Sequence, residues 1–262
     1  MTESTTARSR DVTACVIVIG NEILSGRTAD ANVRMIGGGL AAVGVHLREA
    51  RVVADDPDAI IEAINACRSR FDYVFTTGGI GPTHDDITAA CVARAFGTEV
   101  ERDAEAVRRL RTHYGEGDLN AARLKMADIP RGATLIDNPV SQAPGFRIGN
   151  VFVLAGVPRI AQAMFDTVKH GLKGGRPVLS RSVVGYLGES DLAASLSAIQ
   201  DRFADVELGS YPFVRNNRIG VSIVARGVER GRVDAACAAV AEAMRALGAS
   251  PEDEESAVAS DF

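Results

Sequence analysis

Tryptophan is absent from the 262 residues, aromatic side chains make up only 5%, and cysteine occurs four times. Cys15, Cys67, Cys91 and Cys237 lie far apart and form no CxxC pair, so the spacing offers neither a zinc ribbon nor a disulfide framework. Three of them sit in apolar segments, where a buried, reduced thiol is expected. No apolar run approaches the roughly 20 residues that cross a bilayer, and residues 1–10 are polar with no hydrophobic signal core. A cytoplasmic address without membrane contact is therefore expected. Basic surplus is lacking too. Glu252, Asp253, Glu254, Glu255 and Asp261 account for the whole formal net charge of -5, which leaves the rest near neutral. Such a body has no basic stripe for a nucleic-acid backbone.

What is present is alternation. Apolar strand-like runs alternate with helix-like periodicity from residue 14 to residue 170, the pattern of a sheet covered by helices on both faces. Cys15-Val-Ile-Val-Ile19 is a β-branched run suited to a central strand buried on both sides. Val33, Ile36, Leu40 and Val43 form a helical stripe interrupted by Gly37, Gly38 and Gly39, so that helix is either weakened or packed tightly there. Strands are predicted at 45–53, 73–77, 133–137 and 151–154. Helices are predicted after Pro57, from Asp85-Asp86, over 103–114 and 119–126, and from Pro158. After a linker-like stretch at 173–177, the order changes to βαββα, a small α+β layer. The expected division is a disordered start (1–11), a three-layer α/β/α domain with a mixed, mostly parallel sheet (12–172), the small domain (173–248) and a disordered acidic tail (249–262).

Ligands of open α/β sheets bind outside the carboxyl ends of the strands, which directs attention to three loops. Gly20-Asn-Glu-Ile-Leu-Ser-Gly26-Arg departs from the P-loop pattern in glycine spacing and in the Arg that replaces the phosphate-binding Lys. Its glycines allow close backbone approach while Asn21 or Glu22 hydrogen-bonds a ligand; ordinary loop capping is the alternative. Thr76-Thr-Gly-Gly-Ile-Gly-Pro-Thr-His-Asp-Asp-Ile-Thr88 is richer, since glycines and hydroxyls at a helix start make a concavity of donors for an anion. Asp85 and Asp86 would repel that anion unless a divalent cation lay between, and hard oxygen ligands are what such ions prefer. Simple helix capping is the competing role. Asp137-Asn-Pro-Val-Ser-Gln-Ala-Pro-Gly-Phe146 reads as a lid over the ligand or as a plain turn. Asp55, at another strand end before Pro57, either reaches the same cleft or caps the next helix. None of the four histidines has partner spacing, although His84 lies in the glycine loop.

Together these segments, with Asn32, Asp55-Asp56-Pro57 and Pro158, resemble the MogA/MoaB-like molybdopterin-binding domain in the version found at the N-terminus of CinA-type proteins (competence/damage-inducible protein A). The βαββα segment resembles the small domain that follows. The resemblance implies a cleft for a phosphorylated pterin or an ADP-ribose-like diphosphate. It implies ligand contacts at Gly20, Asn21, Glu22, Gly26, Asn32, Thr77, Gly78, Gly79, Gly81, Pro82, Thr83, Thr88, Asn138, Pro139, Pro144, Gly145 and Pro158. Asp86 and Asp55 are the implied catalytic residues, and Asp85, Asp86 and Asp55 the implied ligands of a divalent metal (Mg, Mn or Co). The implied activity is metal-dependent hydrolysis of ADP-ribose; non-catalytic molybdopterin or nucleotide binding and molybdopterin adenylylation are the alternatives. Homo-oligomers are usual in the family. The amidohydrolase domain of full-length CinA has no counterpart in this sequence, so deamidase activity is not expected. Ala155-Gly-Val-Pro158 departs from the usual Pro-Gly-x-Pro and leaves the contact near the last helix open.

Overall fold

A computed structural model describes residues 11–115 and 117–254. The chain divides into two compact units, the first ending at Gly175 and the second beginning at Arg176. In chain order the first contains β1 (Val12–Ile19), α1 (Asn21–Leu24), α2 (Asn32–Ala42), β2 (Val45–Val53), α3 (Pro57–Arg70), β3 (Tyr73–Thr77), α4 (Thr88–Ala95), β4 (Val100–Arg102), α5 (Ala104–Tyr114), α6 (Ala121–Lys125), β5 (Asp128–Pro130), β6 (Thr134–Ile136), β7 (Gly145–Ile148), β8 (Val151–Leu154) and α7 (Pro158–Lys169).

Six strands form one sheet in the order β2-β1-β3-β8-β7-β6. The first four are parallel, and β7 is antiparallel to both β8 and β6. The β-branched run of β1 sits near the centre, and alternation sends its side chains to opposite faces. Cys15, Ile17 and Ile19 pack with Ile60 and Ile64 of α3 and Val92 of α4. Ala14, Val16 and Val18 pack with Ile36 and Leu40 of α2 and Phe165 of α7. The result is the expected three-layer α/β/α arrangement with a mostly parallel sheet. On the α2/α7 side Phe75 is fully buried, stacked on Phe152 at 5.0 Å and edge-on to Phe165 at 5.4 Å. Burial of such a ring contributes about 1.5–3 kcal/mol.

In the glycine run of α2, Gly39 is a packing device. A Cβ on Gly39 would stand 2.4 Å from the Phe165 ring, so the bare backbone is what lets α7 approach. The thiols are less scattered than the sequence suggests, because β1 and α3 bring Cys15 and Cys67 to 3.3 Å in the core. The bond between them holds the Cys67 thiol below its ordinary pKa, with Arg51 adding to the effect, and pushes that of Cys15 up.

The second unit holds β9 (Leu179–Gly185), α8 (Glu189–Arg202), β10 (Glu207–Arg215), β11 (Arg218–Gly227), α9 (Arg230–Ala246) and β12 (Glu252–Glu254). Its antiparallel sheet, ordered β10-β11-β9-β12, packs Val183, Val221 and Ile223 against Leu192 of α8 and Val240 and Met244 of α9. The expected βαββα is thus a small α+β layer with one further strand. That strand corrects the expectation of a disordered tail from residue 249: β12 pairs with β9, and Arg181 reaches Asp253 at 3.2 Å. The expected disorder at 1–10 and at 255–262 lies outside the described residues. No helix among the described residues is long and apolar enough to cross a membrane.

Candidate functional site

The parallel strands β1, β2 and β3 end together, and their following loops meet at the carboxyl edge of the sheet. Gly78 follows β3 with φ +104, and a Cβ there would lie 2.1 Å from the Ile19 carbonyl oxygen, so only glycine fits between the ends of β3 and β1. Gly156, after β8, packs on the Cα of Gly78. Asn32, 4% exposed at the start of α2, donates from Nδ2 to the Gly156 carbonyl at 2.8 Å. Its Oδ1 is buried without a partner, as are the hydroxyls of Thr76 and Thr77. An unpaired buried acceptor costs about 1–3 kcal/mol, which a donor from a ligand or water would recover.

Asp86 does not cap a helix. The helix expected from Asp85-Asp86 begins at Thr88 instead, behind Ile87 and with no side-chain cap. The Asp86 carboxylate folds back over the glycine loop, where Oδ2 accepts the Thr83 N–H at 2.8 Å and the Thr83 hydroxyl at 2.5 Å. It lies 2.7 Å from where a Cβ of Gly81 would stand. Asp85 is exposed; the Thr83 hydroxyl has one proton and gives it to Asp86, so Asp85 is held below the usual carboxylate range by its own backbone N–H and the charges of His84 and Lys125. His84 is itself almost fully exposed, 3.9 Å from Asp85.

A cavity of about 160 Å³ opens beside Gly79 and Gly81, with Asp86 and Lys125 on its wall and Ile80, Met126 and Phe146 among its apolar lining. Pro144 also lines it, which brings the 137–146 segment to the cavity edge. Lys125, Met126, Asp128 and Ile129 escaped the sequence reading. No local feature of the sequence marks them. Asp128 is held by Arg102 through two bonds of 2.8 and 3.1 Å across β4 and β5. Lys125 donates from Nζ to the Thr83 carbonyl oxygen.

Several predicted contacts have other work. Asp56, not Asp55, caps α3, accepting the N–H groups of Asp58 and Ala59. Asp55 accepts the Asn21 N–H at 2.8 Å and so pins the loop after β1; it is not among the cavity-lining residues that include Asp86. In that loop the Glu22 carboxylate curls to 2.5 Å from where a Gly20 Cβ would stand, and Gly26 turns at φ +71. Thr88 is buried and donates to the Gly78 carbonyl, so it shapes the loop from behind. Asn138 is also buried. Its Nδ2 donates to Ser141 Oγ and the Ala143 carbonyl, and its Oδ1 accepts from the N–H groups of Val140 and Ser141, which spends its capacity inside its own turn. Gly145, in β7, has no room for a side chain, because a Cβ would strike the Val153 carbonyl. Pro139 and Pro158 are exposed, the latter in the first turn of α7.

Nor do the three acidic residues converge. Among the described residues, the group of ligand-type atoms close enough together to share a metal is that of Cys15, Glu49 and Cys67, not Asp55, Asp85 and Asp86. Both Glu49 oxygens there already face arginines, Arg51 at 2.6 Å and Arg70 at 3.2 Å. The donor set at the glycine loop fits a hard divalent ion held by one or two carboxylates and completed by phosphate oxygens and water, which is how magnesium-type ions are commonly bound.

Comparison with known proteins adds to this geometry. Residues 15–179 match the family described as probable molybdopterin binding domain, and residues 177–253 match the middle domain of FAD synthase. A protein of Thermoplasma acidophilum is 32% identical over 250 residues, covering 90% of this chain and 98% of that one. A probable FAD synthase of Caenorhabditis elegans is 34% identical over 233 residues, and the match spans 78% of this chain but only 44% of the worm protein. The crystal structure of the protein CinA, of unknown function, from Thermoplasma acidophilum superposes with a TM-score of 0.59 at 38% identity, covering 62% of this chain and 99% of that one.

Proposed function

Because the chain belongs to the family of probable molybdopterin-binding domains, in its CinA-like form, we propose that it binds a nucleoside diphosphate at the 78–86 loop and hydrolyses it with the help of a divalent cation. The observation that carries the reading is Asp86, folded over Gly81 at the mouth of a cavity instead of capping α4. Main-chain N–H groups of the glycine loop receive the phosphate oxygens, and Thr83 holds Asp86 beside them. The apolar cavity beside them takes a flat ring. Asp86 and Asp85 would hold the cation, which when bound would supply charge neutralisation and a lowered pKa of water. Asp86 orients the water that adds to phosphorus as the bridging P–O bond breaks; the displaced phosphate leaves with the electron pair, and the water proton passes to bulk. From ADP-ribose the products are AMP and ribose 5-phosphate. Asp55 positions the Gly20 loop through Asn21, and Asn32 offers its unpaired oxygen to a donor of the ligand.

The purified protein with Mg²⁺, Mn²⁺ or Co²⁺ is expected to release AMP from ADP-ribose and to stop when EDTA is added. FAD belongs beside ADP-ribose in the assay, because the similarity to FAD synthase in residues 177–253 favours a flavin dinucleotide as a second substrate with the same diphosphate bond. A protein that turns over neither compound with any of the three metals, yet binds a phosphorylated pterin tightly without metal, would make the site a carrier pocket.

A further inference from the structure

Lys125 is the one cation among the described residues that line the cavity. It ends α6, some forty positions along the chain from the glycine loop, and its ammonium donates to the carbonyl of Thr83. The same Thr83 gives its N–H and its hydroxyl to Asp86. The two side chains therefore hold one residue through the two peptide groups that flank it, and both line the cavity. An ammonium has three N–H donors, and Thr83 takes one. Apart from the exposed His84, the loop's own charge is negative, from Asp85 and Asp86, and Asp128, although it lines the cavity, is neutralised by Arg102.

We propose that Lys125 is the anion contact of the glycine loop, holding a phosphate of the ligand with its two remaining donors, so that binding of the diphosphate proceeds without a divalent metal. The claim rests on the reading that the phosphate sits at residues 78–86. It divides the labour there: Lys125 and the main chain bind, while the acidic pair and its cation serve turnover. Lys125 is half-buried and lines the cavity beside Met126.

The test is calorimetry in EDTA with two probes, ADP-ribose and inorganic pyrophosphate, on wild type, K125M and K125R. Methionine keeps the apolar stem and removes the charge. Wild type should bind both probes without metal, K125M should bind both at least about tenfold more weakly, the range expected for loss of a charge-assisted hydrogen bond, and K125R should recover most of the loss. A mere structural staple would instead lower the thermal midpoint of K125M without a recovery that tracks charge. If K125M unfolds early, K125Q against K125R makes the same comparison. Equal affinities for wild type and K125M would overturn the proposal, as would wild-type binding that appears only on adding Mg²⁺, or no binding of either probe. Lys125-dependent pyrophosphate binding with no AMP released from ADP-ribose would leave Lys125 in place and remove only the hydrolase reading.

Discussion

Two loops of the first unit look alike in composition and behave differently. Residues 77–86 and 137–145 both leave a strand of the main sheet, and both combine glycine or proline with hydroxyl and acidic or amide side chains. In the second, Asn138 makes four hydrogen bonds within its own turn, and Gly145 is bare because the Val153 carbonyl lies against it. In the first, the Asp86 carboxylate and the Lys125 ammonium meet on Thr83 beside an open cavity with bonding capacity to spare. Residue type shows which bonds a loop can make. Only the account of bonds already made separates a turn that holds itself together from one that can hold something else.

Substitutions can break that contrast, and the largest effect belongs to Asp86. D86A should lower turnover of ADP-ribose by about 10²–10⁴-fold while the thermal midpoint stays near that of wild type, because the carboxylate is exposed to the cavity and caps no helix. A variant that unfolded early instead would make Asp86 a structural residue like Asn138. Next in size is G78A, expected to cost about 2–4 kcal/mol in chemical denaturation, from the strained φ and the collision with the Ile19 carbonyl. N138A should cost about 1–3 kcal/mol of stability by leaving its turn's groups unpaired, with KM for ADP-ribose unchanged once folded. A raised KM with unaltered stability would return the 137–145 loop to the role of a lid. Smallest of all, Q142G should add about 0.5 kcal/mol, since Gln142 stands at φ 58 in that same turn; a loss of stability would mean that its side chain holds the turn.

Much of the first unit can be read from residues alone, for a physical reason. Cys15 to Ile19 needs burial on two faces, and Ile60, Ile64 and Cys67 need burial on one, which leaves few arrangements besides a covered sheet. The glycine loop is equally legible, because the backbone at Gly78 tolerates no side chain. What escaped depends on distant partners. The strands β4, β5, β7 and β12 have three or four residues each, too few for a period, and exist because another strand is beside them. Lys125 carries no local mark: its meaning comes from the fold of the chain that lays α6 against Thr83. Asp55 and Asp56 show the converse, two adjacent carboxylates of which one caps α3 and the other pins the Gly20 loop, a division that composition cannot assign.

The most direct measurement is a crystal structure of the protein with ADP-ribose and Mn²⁺, in which anomalous scattering locates the metal. The account predicts the diphosphate against the main chain of residues 79–83, a phosphate oxygen on Lys125 and manganese beside Asp86. A diphosphate bound in the 137–145 turn or in the second unit, with Asp86 still holding only Thr83, would contradict it.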